Sequence, residues 1–138
     1  MLTSDEVAAL ARVAAVLLPG DETAPSAASI TELPVLIARA ADAIGPEIEA
    51  LRAAVALLPD DPTWGAVRAY AEAHPGDFDV VSAVAAGAYF MAPDALRAIG
   101  YPQGARKAPR IDQAADELSG GVLDDVMARE PMFRQVPA

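Results

Sequence analysis

Few side chains in this sequence could perform chemistry. The single histidine, His74, stands before Pro75, and histidine is a residue type that can act as a general base. No serine, cysteine or second ligand is placed beside it by a recognisable motif. An independent enzyme built on His74 would lack its second catalytic group. We therefore predict a structural role for His74, at the end of a helix.

Two pairs of adjacent carboxylates, Asp60-Asp61 and Asp124-Asp125, could in principle support acid–base or metal chemistry. Adjacent residues do not face each other on a helix, and neither pair lies in an acidic loop with calcium spacing. We predict that Asp61 is the N-cap of a helix and that the other three are solvated. The sequence Ser119-Gly120-Gly121 predicts a turn, because it lacks the strand–turn–helix context of a nucleophile elbow.

The composition excludes several classes of function. The chain has no cysteine, so it cannot form a disulfide, a thiolate zinc site, a cysteine-ligated iron–sulfur cluster or a thiol nucleophile. Twenty acidic residues against ten basic ones give a net charge of -10, which opposes binding to nucleic acid or to an anionic membrane. We predict no catalytic residue, no metal and no cofactor in this chain.

The elements that carry these residues are predicted to be helices. Thr3 to Glu6 has the pattern of a capping box, and apolar residues follow at helical spacing, which predicts a helix over 4–18. Proline and glycine signals predict five more, over 31–44, 46–58, 61–73, 78–91 and 93–99. With 138 residues and no strand-like alternation, we predict an all-α fold, a bundle of five or six short helices over residues 1–100.

The fifth helix is apolar almost all round, which predicts a central place in the bundle. Gly87 would let another helix approach it closely. Aromatic side chains at helical positions usually belong to a core, so we assign Trp64, Phe78 and Phe90 to the core.

Residues 101–138 form a different kind of sequence. Prolines and glycines recur, and we expect one short helical run, over 122–129. Large apolar side chains are nevertheless spread along it, which is not typical of a disordered tail. We predict an extended arm of the same domain, docked on a protein surface, with Tyr101 and Phe133 as interface residues.

The first residues include Asp5 and Glu6 and no basic cluster, so no secretory signal is expected. The apolar stretch 7–18 is too short to span a bilayer. A cytoplasmic location is the expectation, or a periplasmic one if the native form carries an export signal.

Three stretches together resemble a known family. They are Leu17-Leu18-Pro19-Gly20-Asp21; the sequence from Ala88 to Pro93 followed by Ile99-Gly100-Tyr101-Pro102; and the sequence from Val122 to Arg134. Their order and spacing are similar to those of the small subunit of FAD-dependent sugar and alcohol dehydrogenases, the gluconate 2-dehydrogenase subunit 3 type. Ile-Gly-Tyr-Pro is the most specific part.

The resemblance implies a helical accessory subunit without a cofactor. In that family the small subunit clasps a large glucose–methanol–choline-type flavoprotein, which holds the FAD and oxidises a sugar, glycoside or related alcohol. Many members carry a twin-arginine export signal, which this sequence lacks. The predicted partner interface consists of Tyr89, Ile99, Tyr101, Pro102, Arg110, Met132, Phe133 and Arg134.

One alternative of a different class stays open. A self-associating helical adaptor or regulator, with no flavoprotein partner, would also need apolar side chains in its C-terminal arm. It predicts a well-behaved oligomer when the chain is expressed alone, with the arm folded across a second copy.

Overall fold

The predicted all-α fold is confirmed in a computed structural model, which describes residues 1–102, 119–121, 124 and 128–129. The chain divides into two units, Met1–Gln103 and Gly104–Ala138. Across the described residues there is no β-strand. The first unit contains six α-helices and two 3-10 turns, Ala27–Ser29 and Gly45–Glu47. The helices are α1 (Ser4–Leu17), α2 (Leu33–Ala43), α3 (Ile48–Val55), α4 (Trp64–Ala73), α5 (Pro75–Met91) and α6 (Pro93–Ala98).

The helix starts follow local hydrogen-bonding chemistry. The predicted capping box of α1 is confirmed: Thr3 N–H donates to the Glu6 carboxylate at 2.6 Å, and Thr3 Oγ1 accepts the Glu6 N–H at 3.3 Å. The prediction that Asp61 is the N-cap of α4 was wrong. Its N-cap is Thr63, whose Oγ1 accepts the Ala66 N–H at 3.2 Å, and Asp61 lies two residues further out, exposed to solvent.

The junction between α4 and α5 also differs from the prediction. His74 ends α4 and immediately precedes α5, which begins at Pro75 instead of Phe78. Proline fits there because the first residues of a helix need no N–H for the helical ladder, and its fixed φ suits the first turn. A sequence that looks like a loop is therefore the first turn of the longest helix.

The central position predicted for α5 is confirmed, since α5 contacts α1, α2, α3, α4 and α6. A Cβ atom added at Gly87 would lie 4.0 Å from the Ala40 Cβ, so the expected close approach is made by α2. The centre of the core is built from aliphatic side chains. Its largest fully buried side chains are Leu10, Ile37, Leu51, Val13, Val67, Val81 and Val84.

The aromatic core assignments were wrong for two of the three residues. Trp64 is 65% exposed at the first position of α4, and Phe90 is 45% exposed because it lies off the buried stripe of α5. Phe78 is half-buried and packs against the core. Among the described residues, the buried aromatic side chains are Tyr70 and Tyr89.

Both buried tyrosines satisfy their hydroxyl groups with backbone oxygens, as buried polar groups must. The Tyr70 hydroxyl donates to the Ala54 carbonyl at 3.0 Å, and the Tyr89 hydroxyl donates to the Pro25 carbonyl at 2.7 Å. Burial raises the pKa of Tyr70, which keeps the phenol protonated as a donor. Each hydroxyl ties its helix to another segment, which phenylalanine could not do: α4 to the end of α3, and α5 to the loop at Pro25.

Two glycines with positive φ provide a matched stability test. Gly20 has φ +73°, and a Cβ there would lie 2.4 Å from the Ser26 nitrogen. Gly100 has φ +69° with open space around it. We expect Gly100→Ala to lower the free energy of unfolding by about 1 kcal/mol, and Gly20→Ala by about 2–3 kcal/mol, because the overlap adds to the backbone strain. Urea denaturation of the two variants checks this, and equal losses would contradict the predicted overlap at Gly20.

Candidate partner interface

The loop after α1 holds the first of the three family-like stretches. Gly20 turns the chain, and the Asp21 carboxylate then accepts hydrogen bonds from Thr23 N–H at 2.7 Å, Thr23 Oγ1 at 2.7 Å and Ala24 N–H at 2.8 Å. These bonds, led by the one from the Thr23 hydroxyl, lower the pKa of Asp21 below its usual 3.8. The loop therefore has a defined shape at neutral pH.

Tyr89 joins this loop to the second family-like stretch. Its hydroxyl reaches the Pro25 carbonyl, 64 residues away in the sequence, and its ring meets Phe90 edge-on at 5.3 Å. The structure therefore brings together two stretches that are far apart in the chain. Tyr89 itself is only 6% exposed, so within the first unit its part is to position the loop and not to present a contact surface.

The sequence Ile99-Gly100-Tyr101-Pro102 ends α6 with a Schellman motif. Gly100 N–H donates to the Arg97 carbonyl at 3.0 Å, and Tyr101 N–H donates to the Leu96 carbonyl at 2.9 Å. Glycine supplies the left-handed conformation that this cap requires, and Pro102 prevents the helix from continuing. The cap leaves Ile99 57% exposed and Tyr101 59% exposed.

Four large apolar side chains are exposed on α6 and its two flanks. Phe90 and Met91 precede the helix, and Ile99 and Tyr101 follow it. Because α6 has six residues, the two pairs are separated by only about 9 Å of helix. We call these four residues the apolar corner. Contiguous exposed apolar side chains are typical of protein–protein interaction sites, so these four residues are our candidates for one.

The predicted interface residues divide into three groups. Ile99, Tyr101 and Pro102 are exposed at the end of α6, whereas Tyr89 is buried in the core on α5. Phe90 and Met91, the other half of the apolar corner, were missed, because Phe90 had been assigned to the core. The helical period could have revealed it, since Phe90 falls outside the stripe Val81, Val84, Ala85 and Ala88. Arg110, Met132, Phe133 and Arg134 lie outside the described residues.

The C-terminal arm also lies mostly outside the described residues, including the expected helical run over 122–129. At two described positions in it, Ala128 N–H donates to the Asp124 carbonyl at 2.9 Å, which is the spacing of an α-helix. Gly121, in the predicted Gly120-Gly121 turn, has φ +76°.

The candidate catalytic groups are not assembled into a reactive arrangement in the described part of the chain. His74 is exposed, with Nδ1 3.8 Å from the Asp77 carboxylate and its ring 5.4 Å from Tyr70. Asp60 and Asp61 are exposed and take part in no ion pair formed by described residues. No group of three or more histidine or acidic side chains in residues 1–102 could hold a metal ion.

No described helix is both long enough and apolar enough to cross a membrane.

The charge on this unit is strongly negative. Residues 1–102 contain 14 acidic and 5 basic side chains, a formal net charge of -9. Three of the five arginines already pair with carboxylates: Arg52 with Glu6 and Glu49, Arg68 with Glu72, and Arg97 with Asp94. Two copies of this surface would repel each other, whereas a basic partner would be attracted.

The Tyr89 hydroxyl gives a prediction for the coupling between α5 and the loop. Tyr89→Phe removes one hydrogen bond and leaves the packing of the ring unchanged. We expect the free energy of unfolding to fall by about 1 kcal/mol, the usual net value of such a bond. Chemical denaturation measures the loss. Thermolysin cleavage of the loop at 19–26 should also speed up, and unchanged stability and cleavage would contradict a structural role for the bond.

The lowered pKa of Asp21 predicts a pH dependence. The Asp21 carboxyl binds its proton less tightly in the folded chain than in the unfolded one. Its contribution to the free energy of unfolding is therefore complete above pH 3.8 and is lost as the pH falls through the lower pKa of the folded chain. The Asp21→Asn variant lacks this carboxyl, so its free energy of unfolding should fall less steeply as the pH decreases. Unfolding measured from neutral pH to below the usual aspartate pKa tests this, and superimposable profiles would contradict it.

Comparison of the chain with known protein families, with curated proteins and with solved structures finds no match.

Proposed function

We propose that this chain is a non-catalytic accessory subunit that binds and stabilises an FAD-dependent dehydrogenase of the glucose–methanol–choline type, which acts on a sugar, glycoside or related alcohol. The observation that supports it best is the apolar corner. Four large apolar side chains stand exposed where the bundle ends and the arm begins, and the most specific family-like sequence, Ile99 to Pro102, lies there.

The way the corner is built suits a binding surface. Its backbone is held by the Schellman motif at Gly100 and by the burial of Tyr89 next to Phe90, so the backbone needs little ordering when a partner binds. Tyrosine, phenylalanine and methionine are enriched at the centres of protein interfaces. The flavin and the residues that abstract hydride would belong to the partner.

The negative charge supports a partner other than a second copy. With -9 on residues 1–102, an interface between two copies would bring like charges together around an apolar centre. A flavoprotein with a basic rim around an apolar patch would be complementary. This favours the accessory-subunit hypothesis over the self-associating adaptor.

Co-expression with the product of the neighbouring gene, which the proposal expects to be an FAD-binding oxidoreductase, tests the proposal. We expect the flavoprotein to be soluble, flavin-loaded and bound to the chain only when the chain is intact. Deleting residues 101–138 should release the flavoprotein or leave it insoluble. The control is the full chain with Val35→Ala, which changes an exposed residue of α2 and should leave the complex intact.

Two results would contradict the proposal. The first is a flavoprotein that stays soluble, flavin-loaded and bound to the truncated chain, which would show that the arm and Tyr101 are dispensable. The second is an intact chain that forms a stable homo-oligomer and binds no flavoprotein, as the adaptor hypothesis predicts.

A further inference from the structure

A second exposed apolar surface lies on the connection between α3 and α4. Trp64, the single tryptophan of the chain, is 65% exposed at the start of α4, and Leu57, just after α3, is 52% exposed. Neither belongs to the core or to the apolar corner. Tryptophan is the residue type most typical of interface hot spots. A short segment with both an exposed tryptophan and an exposed leucine is therefore a candidate contact surface.

The backbone around this surface is held by specific hydrogen bonds. The Ala54 carbonyl, at the end of α3, accepts both the Leu57 N–H at 3.1 Å and the Tyr70 hydroxyl at 3.0 Å. One carbonyl therefore ties the start of the connection to α4. Thr63 Oγ1 caps the first turn of α4, which fixes the backbone at Trp64. The surface is organised in the absence of a partner, which lowers the cost of binding.

The charges on this connection indicate what binds there. Asp60 and Asp61, both exposed, lie between Leu57 and Trp64. The next arginine along the chain, Arg68, pairs with Glu72 at 2.9 Å, and no ion pair among the described residues includes Asp60 or Asp61. The face of an indole ring attracts cations more strongly than other aromatic rings do. Arginine is the cation that can both stack on such a ring and donate two hydrogen bonds to a carboxylate.

We propose that Leu57, Asp60, Asp61 and Trp64, here called the Trp64 surface, bind an arginine of the flavoprotein and an apolar side chain next to it. This inference rests on the proposed function, because it takes that flavoprotein as the partner. The bundle then holds one partner at two places, the apolar corner and the Trp64 surface. Two linked contacts raise the overall affinity well above that of either one.

Fluorine NMR of the full chain labelled with fluorotryptophan tests this, since one tryptophan gives one resonance. The labelled chain is measured alone and in complex with the unlabelled flavoprotein. We expect the resonance to shift on binding and to lose its sensitivity to exchange of H2O for D2O, because the partner displaces water from the indole ring.

Charge removal provides a second measurement on the same complex. The double variant Asp60→Asn/Asp61→Asn should bind the flavoprotein about tenfold more weakly at low salt, and the difference should shrink at high salt. The matched control, Asp42→Asn/Glu47→Gln, removes the same charge from exposed positions elsewhere and should change the affinity less than about twofold.

The outcomes separate this inference from the proposed function. A complex that forms while the resonance keeps its free position and its solvent sensitivity overturns the Trp64 surface alone. Equal weakening by the two double variants overturns the arginine contact, because only overall charge would then matter. If no complex forms on gel filtration, the proposed function fails and this inference fails with it.

Discussion

Ile37→Ala is expected to lower the free energy of unfolding by about 2–5 kcal/mol, the range for truncating a large aliphatic side chain in a tight core. Ile37 is fully buried on α2, the helix that packs most extensively on the central α5. The removed methyl and methylene groups leave a cavity that neighbours from two helices cannot fill without moving. Because small domains are stable by only about 5–15 kcal/mol, the variant should be close to unfolding at physiological temperature.

The same helix supplies the control for this experiment. Val35 stands two residues away on α2 and is 63% exposed, so Val35→Ala should change the unfolding free energy by less than about 0.5 kcal/mol. Urea denaturation followed by circular dichroism compares the two. If both substitutions cost the same, α2 is not packed on α5 by the face that includes Ile37.

Tyr101→Ala is expected to weaken the complex with the flavoprotein by about 2 kcal/mol, which corresponds to roughly a 30-fold higher Kd. Tyr101 is the largest exposed side chain of the apolar corner and is held in place by the cap at Gly100. Since it is 59% exposed in the free chain, its removal should leave the stability of the bundle nearly unchanged.

Titration calorimetry or surface plasmon resonance with the purified flavoprotein measures this effect. Ile99→Ala should weaken binding in the same direction, and Val35→Ala should leave it unchanged. If Tyr101→Ala binds as tightly as the unchanged chain, the apolar corner is not the contact surface, even if a complex forms.

Much of the fold could be predicted from local signals. The capping box at Thr3 and the helical spacing behind it located α1 closely, and the uniform apolarity of residues 78–91 located α5 at the centre. Each signal depends on chemistry within one or two helical turns. Where two local signals competed, the prediction failed: Asp61 and Thr63 are both good caps, and the backbone selects Thr63.

The aromatic side chains show what local signals cannot provide. Tyr89 and Phe90 are adjacent and both large, yet Tyr89 is buried and Phe90 is 45% exposed. The difference depends on which face of α5 meets the loop at Pro25, a contact 64 residues away in the chain. Trp64 likewise has a hydrophobic side chain but lies where no described helix covers it. Interfaces and cores use the same large apolar residue types. The two can therefore be told apart only by their exposure once the helices are packed.

The most direct test of the accessory-subunit hypothesis is sedimentation velocity with detection of flavin absorbance. The full chain and the flavoprotein are prepared separately and then mixed. We expect the flavin to move to a faster-sedimenting species as the chain is added, with saturation at a fixed ratio of the two proteins. If the flavin sediments at the same rate with and without the chain, while the chain alone is a single stable species, the hypothesis is wrong.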